Sequence, residues 1–158
     1  RHAISQGDVE CVVHEQDLAY RSGTATTQAT QTTPRSSGGS DLLVDADGRF
    51  AFDPVQVFRF SALTRNAHRI HYDADYARAD EGYPGLVVQG PLLILTMLET
   101  PRRSSKPPPT SVQYRLDAPV YVGDGCHIAG SGSEGRATQL RLAARDIDPC
   151  ATADLRWN

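Results

Sequence analysis

The stretch Gly90-Pro91-Leu92-Leu93-Ile94-Leu95-Thr96-Met97-Leu98-Glu99 decides the fold. A glycine–proline pair opens it, and proline suits a first helical position because its missing N–H would find no intrahelical acceptor there anyway. Apolar side chains then fall on nearly every side of the projected helix, which predicts a helix buried all round. Downstream the period changes. Val112/Tyr114/Leu116, Cys126/Ile128, Thr138/Leu140/Leu142 and Ala151/Ala153/Leu155/Trp157 each alternate with their neighbours, the two-residue repeat of a half-buried strand. Turn-forming residues at 123–125, 130–135 and 146–149 separate these runs, so successive antiparallel strands are expected. One buried helix followed by a run of strands predicts an α+β domain in which an antiparallel sheet wraps around a long central helix.

Upstream of that helix, Asp53-Pro54 reads as an N-cap and first helical residue, and Val55, Phe58 and Ala62 recur at helical spacing behind it. A second short helix is expected around Asp75 to Ala79. Nearer the start, Val9, Cys11 and Val13 alternate as in a strand before the apolar pattern resumes at Leu18 and Tyr20. Residues 22–40 are almost entirely Ser, Thr, Gln, Gly and Ala. They can bury too little apolar surface to offset the entropy of ordering, so a mobile loop outside any site is expected. Residues 101–109 read as irregular. With that loop, 1–158 is expected to form a single domain, and a chain of 158 residues can bury a core large enough to fold without disulfides or a structural metal.

Composition narrows the function. A formal charge of −3 and a pI near 5.9 argue against nucleic acid or an anionic membrane as partner, since both need a concentrated positive patch. Cys11, Cys126 and Cys150 are odd in number and lack CxxC spacing, which predicts a reducing, cytoplasmic setting. The apolar run Leu92 to Leu98 falls far short of the roughly 20 residues a bilayer span needs, so no membrane association is expected. Arg1 is not a methionine, and the numbering is compatible with a start inside a longer polypeptide.

The densest polar stretch between apolar elements is Thr64-Arg65-Asn66-Ala67-His68-Arg69-Ile70-His71-Tyr72-Asp73, which is how a loop carrying a site reads. Histidine can take and return a proton near neutral pH, and the Asn66 amide can hold water without ionising. About twenty residues on, the backbone N–H groups at Gly90 and the helix start lack intrahelical acceptors and carry the positive end of the helix dipole, so they can meet a developing oxyanion. His68, His71 and Asp73 share one short loop at a spacing that matches no common zinc pattern, and no metal is expected. Cys126 and His127 are adjacent on an expected strand and point to opposite faces, so they read as a buried cysteine and an exposed histidine, not as nucleophile and base.

The run Arg65 to Asp73 resembles the hydration loop of MaoC-like (R)-specific enoyl-thioester hydratases and 3-hydroxyacyl-thioester dehydratases. It is most similar to the branch of fatty-acid-synthase-like dehydratases and mesaconyl- and itaconyl-CoA hydratases. Gly82-Tyr83-Pro84-Gly85-Leu86-Val87-Val88-Gln89-Gly90-Pro91-Leu92 is similar to the segment that follows in that branch, and the likeness runs from about Asp8 to Trp157 with the polar loop 22–40 outside it. It implies the hot-dog fold and a hydro-lyase that adds water reversibly to a trans-2-enoyl thioester, or dehydrates a 3-hydroxyacyl thioester, carried on CoA or acyl carrier protein. No cofactor is implied. His71 takes the place of the family's catalytic histidine, Asn66 would orient the water, Asp73 or His68 would orient His71, and Gly90 falls at the thioester-carbonyl-binding glycine. A homodimer, or pairing with a second hot-dog domain, is implied as well.

Three positions depart from the pattern. Asn66 stands where most of the wider family has aspartate, Arg65 where the closer branch has an aromatic residue, and Gln89 where it has histidine. Arg65 and Gln89 are therefore candidate substrate-binding residues, and Tyr83 is a third on other grounds. The Arg65 charge is suited to a carboxylate on a dicarboxylic acyl-CoA, or is simply solvated, and Tyr76 and Tyr83 line an acyl tunnel or pack. Two other readings stay open: a hot-dog thioesterase, and a non-catalytic subunit that completes the acyl tunnel of a homologue.

Overall fold

Asp53 caps the first helix among the described residues through two reciprocal hydrogen bonds: its carboxylate accepts the Gln56 N–H at 2.9 Å, and the Gln56 side chain accepts the Asp53 N–H at 2.9 Å. Helix α1 then runs Pro54–Thr64 and ends at Arg65, whose positive φ of 54° stops it. The computed structural model describes residues 1–18, 47–103, 107–131 and 137–157. The polar stretch 22–40 and Tyr20 lie outside these residues.

A hairpin of β1 (His2–Gln6) and β2 (Val9–His14) comes first and forms its own two-stranded sheet. After β3 (Arg49–Phe50) and α1, a 3₁₀ turn at Arg69–His71 leads into α2 (Ala74–Ala79), and α3 spans Gly90–Arg103. Strands β4 (Ser111–Leu116), β5 (Cys126–Ser131), β6 (Ala137–Ala144) and β7 (Ile147–Arg156) complete the chain. Among the described residues five strands make one antiparallel sheet in the order β3-β5-β6-β7-β4.

The period-two runs are strands as expected, but their succession is not a plain meander. β4 pairs with β7 at the far edge and not with β5, which follows it. The connection between them crosses the sheet and takes Val120 and Tyr121 to the segment before α3. There Val88 N–H reaches Val120 O at 2.8 Å, and Val87 pairs with Tyr121. Turn residues mark where a strand stops and say nothing of which strand it joins.

Leu93, Ile94 and Met97 of α3 share one core with Leu140 and Leu142 of β6, Ala151, Ala153 and Leu155 of β7, and Val57 of α1. The expectation that α3 is buried all round is corrected: Leu95 is 56% exposed, because the sheet covers one side of the helix only. On α1 the buried pair is Val57 and Ser61, while Val55 and Phe58, taken from the sequence as the apolar stripe, are more than half exposed. A second, smaller cluster of Ile70, Ala77, Val87 and Tyr121 sits beneath the 3₁₀ turn and α2, with Tyr76 and Tyr83 packed against it.

Candidate active site

His71 ends the 3₁₀ turn with its ring buried, and its Nδ1 lies 2.7 Å from Val87 O. A carbonyl oxygen can only accept, so Nδ1 carries the hydrogen and Nε2 keeps its lone pair whenever the ring is neutral. Val87 is itself fixed: its N–H bonds Ile70 O at 2.9 Å, one residue before the histidine it holds. Burial pushes the His71 pKa below its ordinary 6.5. The Val87 bond works against that shift, and the nearby His68 adds to it. The result at neutral pH is an oriented, uncharged imidazole, the state a general base requires.

The sequence gives Asp73 or His68 the task of orienting His71, and the geometry assigns that task to the Val87 carbonyl. Asp73 instead caps α2, its carboxylate accepting Tyr76 N–H at 3.0 Å and meeting the Arg69 guanidinium at 2.7 Å. The Tyr76 N–H and then Arg69 hold its carboxyl below the usual carboxylate range. Arg69 also lies over the Tyr76 ring at 4.1 Å. His68 is exposed, with its ring edge-on to that of His71 at 5.6 Å between centroids.

Asn66 donates its backbone N–H to Ser61 O at 2.9 Å, and its side-chain Oδ1 accepts the His68 N–H at 3.1 Å. That turn leaves the amide nitrogen as the group suited to face a ligand, as a donor to oxygen. Arg65 and Asn66 line an open depression of about 240 Å³ with Phe58, Ser61, Ala62, Ala67 and Tyr72. Neither His71 nor Gly90 is among its lining residues.

Gly90 is the first residue of α3, where its N–H has no intrahelical acceptor. The resemblance puts the thioester carbonyl against this glycine. In the structure the space a Cβ would fill is held by the end of the Leu116 side chain. Gln89 departs most from its sequence role. It is 1% exposed, and its amide nitrogen donates to Val57 O at 2.7 Å and Ser61 Oγ at 2.8 Å, so it is an internal tie and not a group presented to substrate. Tyr83 is half-buried against Tyr121, with ring centroids 6.2 Å apart. Cys126 is buried, and burial pushes its thiol up to about 12, which removes it as a nucleophile at neutral pH. Among the described residues no three His, Cys, Asp or Glu side chains are grouped to hold a metal ion. The sequence reading missed Val87 as the partner of the His71 ring, because a main-chain acceptor carries no side-chain signature.

Solved structures define the fold. The chain superposes on the (R)-hydratase from A. caviae involved in PHA biosynthesis with a TM-score of 0.55 and 18% identity, over 70% of this chain and 91% of that one. It matches HtdX from Mycobacterium tuberculosis with a TM-score of 0.58 and 19% identity, over 82% of this chain and 49% of the other. A MaoC-like dehydratase from Rhodospirillum rubrum gives 0.54 at 15% identity, over 70% and 85%. The fold is the hot-dog fold of the MaoC-like hydratases and dehydratases.

Within that class the chain belongs to the family of hydroxyacyl-thioester dehydratase type 2, whose model matches residues 1–122. It is 39% identical over 123 residues to mesaconyl-C(4)-CoA hydratase of Chloroflexus aurantiacus, covering 76% of this chain and 41% of that protein. It is 43% identical over 104 residues to the mitochondrial hydroxyacyl-thioester dehydratase type 2 of Schizosaccharomyces pombe, covering 63% and 34%. The chain thus spans about two-fifths of the first relative and a third of the second.

Proposed function

We propose that this chain carries the acid–base centre of a hydro-lyase that reversibly hydrates a trans-2-enoyl thioester, borne on CoA or acyl carrier protein. The observation that carries the reading is the buried His71 ring with Nδ1–H on the Val87 carbonyl, which presents Nε2 as a base. In hydration, His71 Nε2 takes a proton from a water whose oxygen accepts a hydrogen bond from the Asn66 amide. The hydroxide adds to C3, and the electron pair moves through C2 to the thioester oxygen. The Gly90 N–H at the start of α3 meets that enolate oxygen, with the helix dipole favouring the charge. The imidazolium returns its proton to C2, so one water has been added and the enzyme is restored. Dehydration runs the same steps backwards, with the Asn66 amide supporting the departing hydroxyl. Arg65, at the rim of the depression, is placed to meet a carboxylate on the acyl group, as a dicarboxylic acyl-CoA would offer. The unit works as a pair, with a second copy or another hot-dog domain.

A second reading rests on the depression that collects Arg65 and Asn66 without His71. In that reading the chain is a non-catalytic partner that completes the acyl tunnel of another hot-dog domain. One experiment separates the two: follow loss of the conjugated thioester absorbance of a short trans-2-enoyl-CoA, and of the same acyl group on carrier protein, with purified chain and with His71→Ala. Hydration by the wild type, reduced at least about 100-fold in His71→Ala, is the expected outcome. A folded wild type inert on both carriers, in both directions, would leave the partner reading in its place.

A further inference from the structure

We infer that Gln89 and Ser61 form a buried positioning tie that sets the Gly90 N–H in register with the Asn66 turn. This rests on the hydro-lyase reading above. The Leu86–Val88 part of the segment before α3 is anchored to the crossing connection by Val88 N–H on Val120 O, Val122 N–H on Leu86 O and the Val87–Tyr121 bridge. The side-chain anchor of the next two residues is Gln89, whose amide donates to Val57 O and Ser61 Oγ of α1. Ser61 serves both ends. Its hydroxyl meets Gln89, and its carbonyl accepts the Asn66 N–H at 2.9 Å. The path Gly90, Gln89, Ser61, Asn66 therefore joins the group that meets the thioester oxygen to the group that holds the water. It does so through covalent links and two hydrogen bonds, Gln89 Nε2 on Ser61 Oγ and Asn66 N–H on Ser61 O.

The amide is oriented without ambiguity, because a flipped Gln89 would set its oxygen against the Val57 carbonyl. In this orientation Oε1 is buried and has no hydrogen-bond partner among the described residues. An orphaned buried acceptor costs free energy that an apolar side chain of the same shape would avoid. The position is thus poorly explained by stability and well explained by the need for a directional link. Ser61 is one of two buried residues on α1, and the other, Val57, supplies the second acceptor.

The test uses the whole chain with Gln89→Met, Ser61→Ala, Ser61→Thr and the double variant Gln89→Met/Ser61→Ala, each checked by circular dichroism and thermal melting. Folded Gln89→Met and Ser61→Ala are expected to lose about 10- to 100-fold in kcat with KM nearly unchanged, since a misplacement of about an ångström has that effect. Ser61→Thr, which keeps the hydroxyl, should retain activity. The double variant should be no worse than Gln89→Met, which already removes the bond that Ser61→Ala breaks together with the bond to Val57 O. A second measurement needs no turnover: the downfield imidazole N–H resonance of His71 should stay unshifted in all variants, as its Val87 partner is anchored separately. Variants as active as the wild type, or losses that add in the double variant, overturn the tie while leaving the hydro-lyase reading standing. A shifted His71 resonance overturns it too, since the damage would then pass through the base. A wild type inert on every thioester removes the hydro-lyase reading and this inference with it, whatever the variants show.

Discussion

At His71 two effects compete, and burial prevails over the hydrogen bond that Val87 provides, so the pKa lies below 6.5. The acid limb of kcat/KM should accordingly have its midpoint below pH 6.5, with activity rising as the ring loses its proton. Stability has the same sign. As pH falls below 6.5 the unfolded chain takes up the proton first, so this contribution is complete above that value and is lost as pH drops towards the folded-state pKa. Urea midpoints measured from pH 7.5 downwards should therefore fall more steeply in the wild type than in His71→Gln. Asp73 gives the opposite expectation. Its carboxylate caps α2 and meets Arg69, with no part in holding the imidazole. Asn is also a good N-cap, so Asp73→Asn should keep hydration activity within a few-fold of wild type. A collapse of activity with an unchanged melting temperature would show that Asp73 acts on the reaction directly.

Among the strands, β3 depends on one backbone position. Gly48 has a φ of 78°, its carbonyl accepts Ile128 N–H at 2.8 Å, and a Cβ there would collide with the Ile128 carbonyl oxygen. Neither the backbone angle nor the neighbour can yield cheaply, so Gly48→Ala should lower the unfolding free energy by at least about 1–3 kcal/mol, read from urea melts. Gly90→Ala should cost far less, because the atom in its way ends a flexible, partly exposed Leu116. At this scale the sequence is legible wherever a local rule decides. The Asp53-Pro54 start of α1, the Gly90-Pro91 start of α3 and the alternating runs of β4 to β7 stand where their caps and periods predict, but β5 continues through Gly130-Ser131 and β7 begins at Ile147, inside stretches read as turns. Partner choice is not local. The two-residue β3 is too short to show a period, β4 crosses to pair with β7, and α1 buries Val57 and Ser61 while exposing Phe58. The loop of residues 64–73 is legible as a candidate site from its composition. The hydrogen bond that orients His71 was not, since any residue could supply the Val87 carbonyl.

For the whole molecule the apolar surface left uncovered is the informative quantity. Val55, Phe58 and Leu63 on α1 are 52%, 58% and 84% exposed, and Phe58 also lines the depression beside Arg65 and Asn66. The β1–β2 hairpin exposes Ile4, Val9 and Val12 by half or more, and a lone two-stranded sheet is marginal in water. Apolar surface next to a site, on a chain matching only part of its relatives' length, predicts that a second hot-dog surface covers it. Sedimentation of the purified chain should then give a species near twice 17.2 kDa, about 34 kDa, at micromolar concentration. Phe58→Glu should shift it towards the monomer and lower hydration activity together, because the same face borders the depression. A chain that stays monomeric at every concentration and hydrates at full rate would show that this face needs no cover. A dimer untouched by Phe58→Glu would move the interface elsewhere, with the exposed hairpin the next surface to substitute.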